Sequence, residues 1–248
     1  MVDLHCHIIP WVDDGAENAE AACRMAQIAL RNGVDTIVAT PHCNLLGARP
    51  NQRGRKYTEC FSMFRALLKH REIPLTVLPG AEVFAHNSNL RTLLDEDRVV
   101  TLNHSRYLLL EFNFHSTAAS INTLLDATAR RGYIPVIAHP ERYQAVQSSP
   151  GIALQWCEKG YVIQLNKSSL LARLGEGACD TAQYLLSAQA AHVIASDAHD
   201  VRARSPGFQS LIPLLGELCT QEYIHDLLEA NPRKIISDQK LPTSVNYY

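Results

Sequence analysis

Short apolar runs rich in β-branched residues alternate with longer segments of helical periodicity along the chain, and this alternation narrows the possible folds most. Seven such runs predict strands near residues 2–7, 34–40, 75–81, 106–112, 133–138, 161–166 and 191–196. Helices are predicted at about 17–32, 56–71, 87–95, 117–131, 151–159, 178–189 and 208–230. Apolar strands separated by amphipathic helices indicate parallel strands buried on both faces. The sheet is then either closed or doubly wound, and we favour an α/β barrel of seven parallel strands.

Glycines mark the ends of three predicted helices. The pairs Asn32-Gly33, Arg131-Gly132 and Lys159-Gly160 each place glycine where a helix ends just before a strand. A length of 248 residues suits one large domain, because barrels of this size share one core. No internal repeat or linker interrupts the pattern, so we expect residues 1–248 to form a single domain.

Composition and charge exclude several classes of protein. Hydrophobic residues make up 46% and charged residues 19%, as in an ordinary soluble domain. A net charge of −2 gives no general attraction to nucleic acid or to an acidic membrane surface. The start lacks the features of a signal peptide, and no apolar run is long enough to cross a membrane. We expect a cytoplasmic protein that binds no nucleic acid and does not insert into membranes.

Seven cysteines occur without any CxxC pair. An odd set of this kind argues against a disulfide framework and against a thiolate zinc site. We expect most of them to be reduced and buried.

Histidines and carboxylates follow the ends of the predicted strands. His5 and His7 end the first strand, and alternation directs their side chains to the same face. The other candidates are His42, Glu82, Glu111, His139, Asp197 and His199, with Asp13 and Asp14 on the first loop. Because the carboxyl ends of parallel barrel strands meet at one face, we expect these side chains to converge. Each alone could be a helix cap or a salt-bridge partner, but burying so many carboxylates without cations is costly.

The types of these side chains indicate which metals they would bind. Imidazole and carboxylate groups without thiolate suit Mn²⁺, Fe²⁺ or Zn²⁺ rather than Ca²⁺, and the sequence does not rank the three. Five histidines and four carboxylates, counting Asp14 from the first loop, are too many ligands for one ion. Several divalent cations would leave a surplus of positive charge, which is what a phosphate dianion needs.

The segments that carry these residues resemble a known family. They are DLHCHIIP with Asp13-Asp14-Gly15, TPH ending at His42, GAE ending at Glu82, the strand bearing Glu111, AHPERY at 138–143, ASDAH at 195–199 and NPRKI at 231–235. They resemble the polymerase-and-histidinol-phosphatase (PHP) superfamily. Within it they resemble the bacterial manganese-dependent protein-tyrosine phosphatases of capsule and exopolysaccharide loci, the CpsB/CapC/YwqE type. One departure is Trp11, where a small residue or glycine is common in that family.

The resemblance implies a fold and a set of metal ligands. The fold is a distorted (β/α)7 barrel with its metal site at the C-terminal face. The expected cofactor is Mn²⁺, up to three ions, with Fe²⁺ or Zn²⁺ as alternatives. The implied ligands are His5, His7, Glu82 and Asp197 for a first metal, Glu82, Glu111 and His139 for a second, and Asp14, His42 and His199 for a third.

The resemblance also implies an activity. Arg142 and Arg204 fall where the family binds phosphate, and His199 or His42 is a candidate to assist the leaving group. The reaction is hydrolysis of a phosphomonoester by a metal-bridging hydroxide. The substrate that the resemblance implies is phosphotyrosine on a partner protein, a bacterial tyrosine autokinase that controls capsule or exopolysaccharide synthesis.

Several alternatives stay open at this point. Cys43 and Arg49 form the HCx5R outline of a cysteine-dependent phosphatase loop, but the residues between them lack the glycines that such a loop needs. A small-molecule phosphatase such as histidinol phosphatase would share the fold, as would a TatD-like metal-dependent nuclease. A non-catalytic binding module is a further alternative, although all nine candidate ligands are present.

A basic stretch at 43–56 follows the second predicted strand. Its cationic residues are Arg49, Arg53, Arg55 and Lys56. It is either a solvated loop or a surface that binds acidic groups beside a phosphotyrosine. The second interpretation is possible because the stretch follows the carboxyl end of a strand, where barrel enzymes have their active sites.

Overall fold

The chain is described here by a computed structural model that covers residues 1–44, 54–86 and 89–242. The strands are β1 (Val2–Cys6), β2 (Thr36–Ala39), β3 (His42–Cys43), β4 (Thr76–Pro79), β5 (Glu82–Phe84), β6 (Tyr107–Glu111), β7 (Ile134–Ala138), β8 (Val162–Asn166) and β9 (Val193–Ala195). They form two parallel groups, in the order β1-β2-β4 and β3-β5-β6-β7-β8-β9.

Hydrogen bonds between β1 and the residues after β9 close the barrel. The backbone N–H of Asp197 donates to the carbonyl of His5, and that of His7 donates to the carbonyl of Ala198, both at 2.8 Å. A parallel bridge joins Cys6 to Ala198. Because β2 leads into β3 and β4 into β5, the wall has seven positions, and the predicted parallel barrel is confirmed.

The second and third predicted strands, 34–40 and 75–81, correspond to β2 and β4, and each is followed after a break by a further short strand, β3 or β5, that was not predicted. Between β2 and β3 stand Thr40 and Pro41, and proline has no backbone N–H to continue a ladder. Between β4 and β5, the carbonyl and N–H of Gly80 both bond the Tyr57 hydroxyl, at 2.9 and 3.1 Å. The two breaks make His42 and Glu82 the first residues of new short strands, paired in register.

The helices are α1 (Ala19–Arg31), α2 (Arg55–His70), α3 (Asn89–Asp95), α4 (Ala118–Ala129), α5 (Gln144–Ser148), α6 (Gly151–Glu158), α7 (Lys167–Leu170), α8 (Glu176–Ser187), α9 (Leu211–Leu218), α10 (Gln221–His225) and α11 (Asn231–Ile236). Short 3₁₀ turns lie at Leu102–His104 and Pro140–Arg142. Gly33, Gly132 and Gly160 have φ values of 80°, 86° and 79°, which confirms the predicted helix ends. None of the described helices is long and apolar enough to cross a membrane.

The helix predicted at 208–230 is divided, which corrects that prediction. Cys219 adopts an extended conformation, with φ −136° and ψ 156°, and ends α9. The Thr220 side chain accepts a hydrogen bond from the N–H of Tyr223 and starts α10. A π-helical turn at Asp226–Ala230 then leads into α11.

Two apolar clusters hold the structure together. The larger one packs helices against the outside of the barrel and includes Cys6 and Cys43. The smaller one contains residues from β1, β2, β6, β7, β8 and β9 and fills the barrel interior. A register irregularity between Asp3 and Cys6 interrupts the alternation of β1, so that Leu4 belongs to the inner cluster and Cys6 to the outer one.

Candidate metal centre

The carboxyl ends of the strands bring together all nine residues that were predicted as metal ligands. We call this group of candidate ligands the metal cluster; it consists of His5, His7, Asp14, His42, Glu82, Glu111, His139, Asp197 and His199. Eight of the nine residues are buried, and Asp14 is exposed. Carboxylates and imidazoles from distant parts of the chain therefore face each other in a largely dry site.

Glu82 lies at the centre of the cluster. Its Oε1 atom is 3.3 Å from Nε2 of His5 and 3.1 Å from Nε2 of His139. Its Oε2 atom is 3.3 Å from Nε2 of His7 and 3.0 Å from Nδ1 of His42. The two oxygens thus face different pairs of histidines, as a carboxylate that bridges two cations would.

Three overlapping groups have the spacing needed to share a cation, with ligand atoms within 4.8 Å of one another. One group is His5, His7 and Glu82, the second is His42, Glu82 and Glu111, and the third is His7, Asp14, His42 and His199. Asp197 adjoins the first group, with Oδ1 3.5 Å from Nε2 of His5. These groups overlap the three ligand sets implied by the family resemblance but are not identical to them, since His42 stands with Glu111 in place of His139.

Several buried polar atoms of the cluster form no hydrogen bond of acceptable geometry within the described part of the chain, although carboxylates and imidazoles stand close together. They are Nδ1 of His42, Oε2 of Glu82, Oε2 of Glu111, Nδ1 of His139 and Nε2 of His199. Buried polar atoms are nearly always satisfied in folded proteins, and metal coordination satisfies both imidazole nitrogens and carboxylate oxygens. The donor set therefore fits divalent cations such as Mn²⁺, Fe²⁺ and Zn²⁺.

The pKa shifts indicate a strong demand for positive charge. Burial alone would lower the pKa of His5, but the charges of Glu82 and Asp197 raise it to about 9. Burial, together with the charge of Glu82, raises the pKa of the Glu111 carboxyl. Protons on such groups partly offset the buried negative charge, and cations would replace them.

His199 presents one ring nitrogen to the cluster. Its Nδ1 atom lies 3.0 Å from the backbone carbonyl of Asp197, an acceptor, so the ring proton belongs on Nδ1. The lone pair on Nε2 then faces Asp14, whose Oδ1 is 3.5 Å away. This tautomer suits metal binding better than proton donation to a leaving group.

Asp13 orients two of the histidines, a role that the sequence analysis did not assign. Its Oδ2 atom is 2.7 Å from Nδ1 of His7 and accepts a bond of 2.9 Å from the N–H of His42. Gly15 follows closely, and a Cβ there would lie 2.1 Å from the carbonyl oxygen of His7. The signal in the sequence was the paired acids followed by glycine.

Two amides of β8 were also missed. Oε1 of Gln164 lies 2.9 Å from Nδ1 of His5, and Nδ2 of Asn166 donates to Oδ2 of Asp197 at 2.7 Å. The two amides are two positions apart, on the same face of a strand whose other residues are apolar. Polar residues two apart in an apolar strand were the available signal.

The two predicted arginines lie at the edge of the cluster, next to Asp197. Nη2 of Arg204 is 2.8 Å from Oδ1 of this carboxylate, and Nη1 of Arg142 is 3.8 Å from its Oδ2. The Arg142 guanidinium also lies 4.3 Å from the centroid of the Phe114 ring, within cation–π range. Both side chains are partly exposed, so they can reach a ligand that enters from the barrel mouth.

The cysteine alternative does not fit the structure. Cys43 lies in β3, fully buried, and burial raises the pKa of its thiol to about 12. A nucleophilic cysteine needs a lowered pKa and access to substrate. Arg49, the other residue of that outline, lies outside the described residues.

The basic stretch is only partly described. Arg49 and Arg53 lie outside the described residues. Arg55 and Lys56 are exposed in the first turn of α2, and Arg55 pairs with Glu59 at 2.6 Å. These two cations therefore belong to a helix and not to a loop.

Known proteins resemble this chain over almost its whole length. The family model for capsular polysaccharide synthesis proteins, CpsB/CapC, matches residues 1–237. The chain belongs to the CpsB/CapC family.

Relatives and a solved structure cover almost the whole chain. The tyrosine-protein phosphatase YwqE of Bacillus subtilis is 33% identical over 97% of this chain and 93% of its own length. The tyrosine-protein phosphatase CpsB of Streptococcus pneumoniae is 31% identical, over 96% and 99%. A crystal structure from work on these two proteins, described as unique metal-dependent tyrosine phosphatases, superposes with a TM-score of 0.88 at 33% identity, covering 98% of this chain and 96% of the other.

Proposed function

We propose that the protein is a metal-dependent tyrosine-protein phosphatase. The observation that carries the proposal is the buried cluster of imidazoles and carboxylates with two arginines at its edge. Cations held there would bind phosphate oxygens, and the guanidinium groups at the edge would bind further oxygens of the same phosphate. Relatives that span the same length are named tyrosine-protein phosphatases, which favours this activity over histidinol phosphatase or a nuclease.

The proposed cofactor is Mn²⁺, up to three ions, with Fe²⁺ or Zn²⁺ as alternatives. Bound divalent cations would supply an activated water and neutralise charge on the phosphate oxygens. The proposed ligands are His5, His7, Glu82 and Asp197 for one ion, Glu82, Glu111 and His139 for a second, and Asp14, His42 and His199 for a third.

The chain's own groups would hold the phosphoryl group in place. The guanidinium groups of Arg142 and Arg204 would bind non-bridging oxygens, an arrangement that favours bidentate contacts. Asp197 fixes the direction of Arg204 through a contact of 2.8 Å, and the ring of Phe114 supports Arg142. Such positioning accounts for much of the catalysis of phosphoryl transfer, because charge spreads over these oxygens in the transition state.

The proposed substrate is a phosphotyrosyl protein, namely a bacterial tyrosine autokinase of capsule or exopolysaccharide synthesis. The family is defined by capsular polysaccharide synthesis, which supports this choice. We place the protein in the cytoplasm because all seven cysteines are free thiols, which suits a reducing compartment. We also propose that residues 1–248 form one domain, since a single closed barrel runs through the described residues.

Removal and return of metal test this proposal. Chelation with EDTA should abolish hydrolysis of a phosphotyrosyl peptide, and Mn²⁺ should restore it, because the buried carboxylates need cations to act. Cys43→Ser should stay active as the matched control. A panel with histidinol phosphate and bis(p-nitrophenyl) phosphate distinguishes the small-molecule phosphatase and the nuclease. Full activity in EDTA, or a preference for either of those two substrates, would contradict the proposal.

A further inference from the structure

A buried lysine lies beside the metal cluster without taking part in it. Lys167 is the first residue of α7 and follows Asn166 at the end of β8. Its side chain is buried, at 1% exposure. Its ammonium group donates hydrogen bonds to the backbone carbonyls of Ser205 and Gly207. The same group lies 5.3 Å from the centroid of the Phe208 ring.

Placing an ammonium group there is unfavourable. Burial lowers the pKa of Lys167 to about 8. In the described part of the chain the group forms no ion pair, so the two carbonyls are its direct partners. A charge buried without a counter-ion costs stability unless its hydrogen bonds compensate. The hydrogen bonds to the carbonyls of Ser205 and Gly207 are therefore the contacts through which this lysine would act.

Those carbonyls belong to the irregular segment that carries Arg204. The carbonyl of Arg204 accepts a bond of 2.8 Å from the N–H of His199, and its N–H donates to Oδ2 of Asp200 at 3.1 Å. These contacts hold the segment before and at Arg204. The segment after Arg204 is held by Lys167, which ties it to the end of β8.

The end of β8 thus contacts both partners of one ion pair. Asn166 donates to Oδ2 of Asp197 at 2.7 Å, and Oδ1 of the same carboxylate is 2.8 Å from Nη2 of Arg204. The next residue, Lys167, holds the backbone just beyond Arg204. Two adjacent residues therefore determine where the carboxylate and the guanidinium segment stand relative to each other.

We propose that Lys167 is a positioning residue for Arg204: it holds the backbone after Arg204 so that the guanidinium group meets the phosphate oxygens in the correct orientation. This inference rests on the proposed phosphatase function, in which Arg204 binds phosphate. Small misplacements of such a group are costly, because bidentate contacts need defined geometry.

A double-mutant cycle tests the inference on the Mn²⁺-loaded protein, with p-nitrophenyl phosphate as substrate. The variants are Lys167→Met, Arg204→Ala and the two combined. Lys167→Met keeps the apolar stem but removes the donors. We expect each single variant to lower kcat/KM by about tenfold or more. The double variant should be no worse than Arg204→Ala alone, because the lysine acts through the arginine.

Two further measurements separate positioning from a general effect on the fold. Hydrogen exchange in residues 200–207 should be faster in Lys167→Met, while Mn²⁺ content should match that of the unchanged protein. Lys159→Met is the matched control, because Lys159 is an exposed lysine paired with Asp126 at 2.9 Å. It should leave kcat/KM and exchange in this segment unchanged. If Lys167→Met does not fold, Lys167→Leu, which likewise removes the N–H donors, takes its place in the same cycle.

The outcomes are distinct. Unchanged kcat/KM in Lys167→Met, or a loss that persists undiminished in the Arg204→Ala background, would overturn the inference. Unchanged kinetics in Arg204→Ala would instead reject the proposed role of Arg204 itself. Loss of Mn²⁺ in Lys167→Met would show that the lysine acts on the metal cluster, which also overturns the inference.

Discussion

Asp13 contacts two histidines of the metal cluster through a single carboxylate oxygen. This atom lies 2.7 Å from Nδ1 of His7 and 2.9 Å from the backbone nitrogen of His42. With Nδ1 of His7 facing a carboxylate, Nε2 of the ring is directed toward Glu82, 3.3 Å away. Groups that orient metal-binding imidazoles in this way also make them better ligands.

Removal of this carboxylate should therefore weaken metal binding. We expect Asp13→Ala to lower the affinity for Mn²⁺ by roughly 10–100-fold, as is usual for groups that orient ligands. The measurement is a calorimetric titration of the metal-free protein with Mn²⁺. Asp95→Ala is the control, because Asp95 is exposed and pairs with Arg131 away from any ligand. An unchanged affinity in Asp13→Ala would show that this carboxylate does not support His7.

At the residue scale, the sequence could predict the metal cluster but not the contacts around it. Histidines and carboxylates at strand ends converge because parallel strands end at one face, which needs only the order of the strands. The roles of Gln164 and Lys167 depend on which side chain packs against which backbone segment. These contacts join residues up to 159 positions apart, as between His5 and Gln164, and no local pattern encodes them.

At the element scale, the interruptions of two strands shape the site. Gly80 stands between β4 and β5, and a Cβ there would lie 2.6 Å from Cγ1 of Val38 in β2. The Tyr57 hydroxyl holds both backbone groups of this glycine. The chain therefore passes close to β2 at this point before β5 begins with Glu82.

Gly80→Ala should destabilise the protein, because the added methyl group has no free space. We expect a loss of about 1–3 kcal/mol in the free energy of unfolding, the usual cost of overpacking. Gly216→Ala is the matched control: it lies in α9 with nothing within 4 Å of the added Cβ. That change should stabilise by about 0.4–1 kcal/mol. Urea unfolding of both variants is the test, and equal stabilities would contradict the close packing at Gly80.

The short strands β3 and β5 and the division of the C-terminal helix were not predicted from the sequence. The predicted strands end at residues 40 and 81, beside Pro41 and Gly80, which are ordinary signals of a break, and the strands beyond them, of 2 and 3 residues, are too short to show a pattern. In the C-terminal helices, Leu215 and Leu227 are buried on both sides of the break at Cys219, so apolar periodicity continued across it. The positions of such breaks depend on tertiary packing, whereas hydrophobic periodicity predicts only that a helix or strand is present.

At the scale of the whole molecule, exposed cations lie at both ends of helix α2. The helix of a barrel unit begins on the face where the preceding strand ends, which is the face of the metal cluster. Helix α2 follows β3, so Arg55 and Lys56 in its first turn lie toward this face. Arg65 and Lys69 lie toward its other end, about 15–20 Å further along at 1.5 Å per residue.

A protein substrate would extend beyond the phosphotyrosine and meet these exposed cations, whereas a small ester would not reach them. Replacing Arg55 and Lys56 by glutamine, together with Arg49 and Arg53 of the same basic stretch, should lower kcat/KM for an acidic phosphotyrosyl peptide and leave that for p-nitrophenyl phosphate unchanged. Added salt should reduce the difference, because exposed charges are screened over about 8–10 Å. Replacing Arg65 and Lys69 by glutamine is the control and should affect neither substrate. Equal losses for peptide and ester, or no loss for either, would show that the amino end of α2 takes no part in substrate choice.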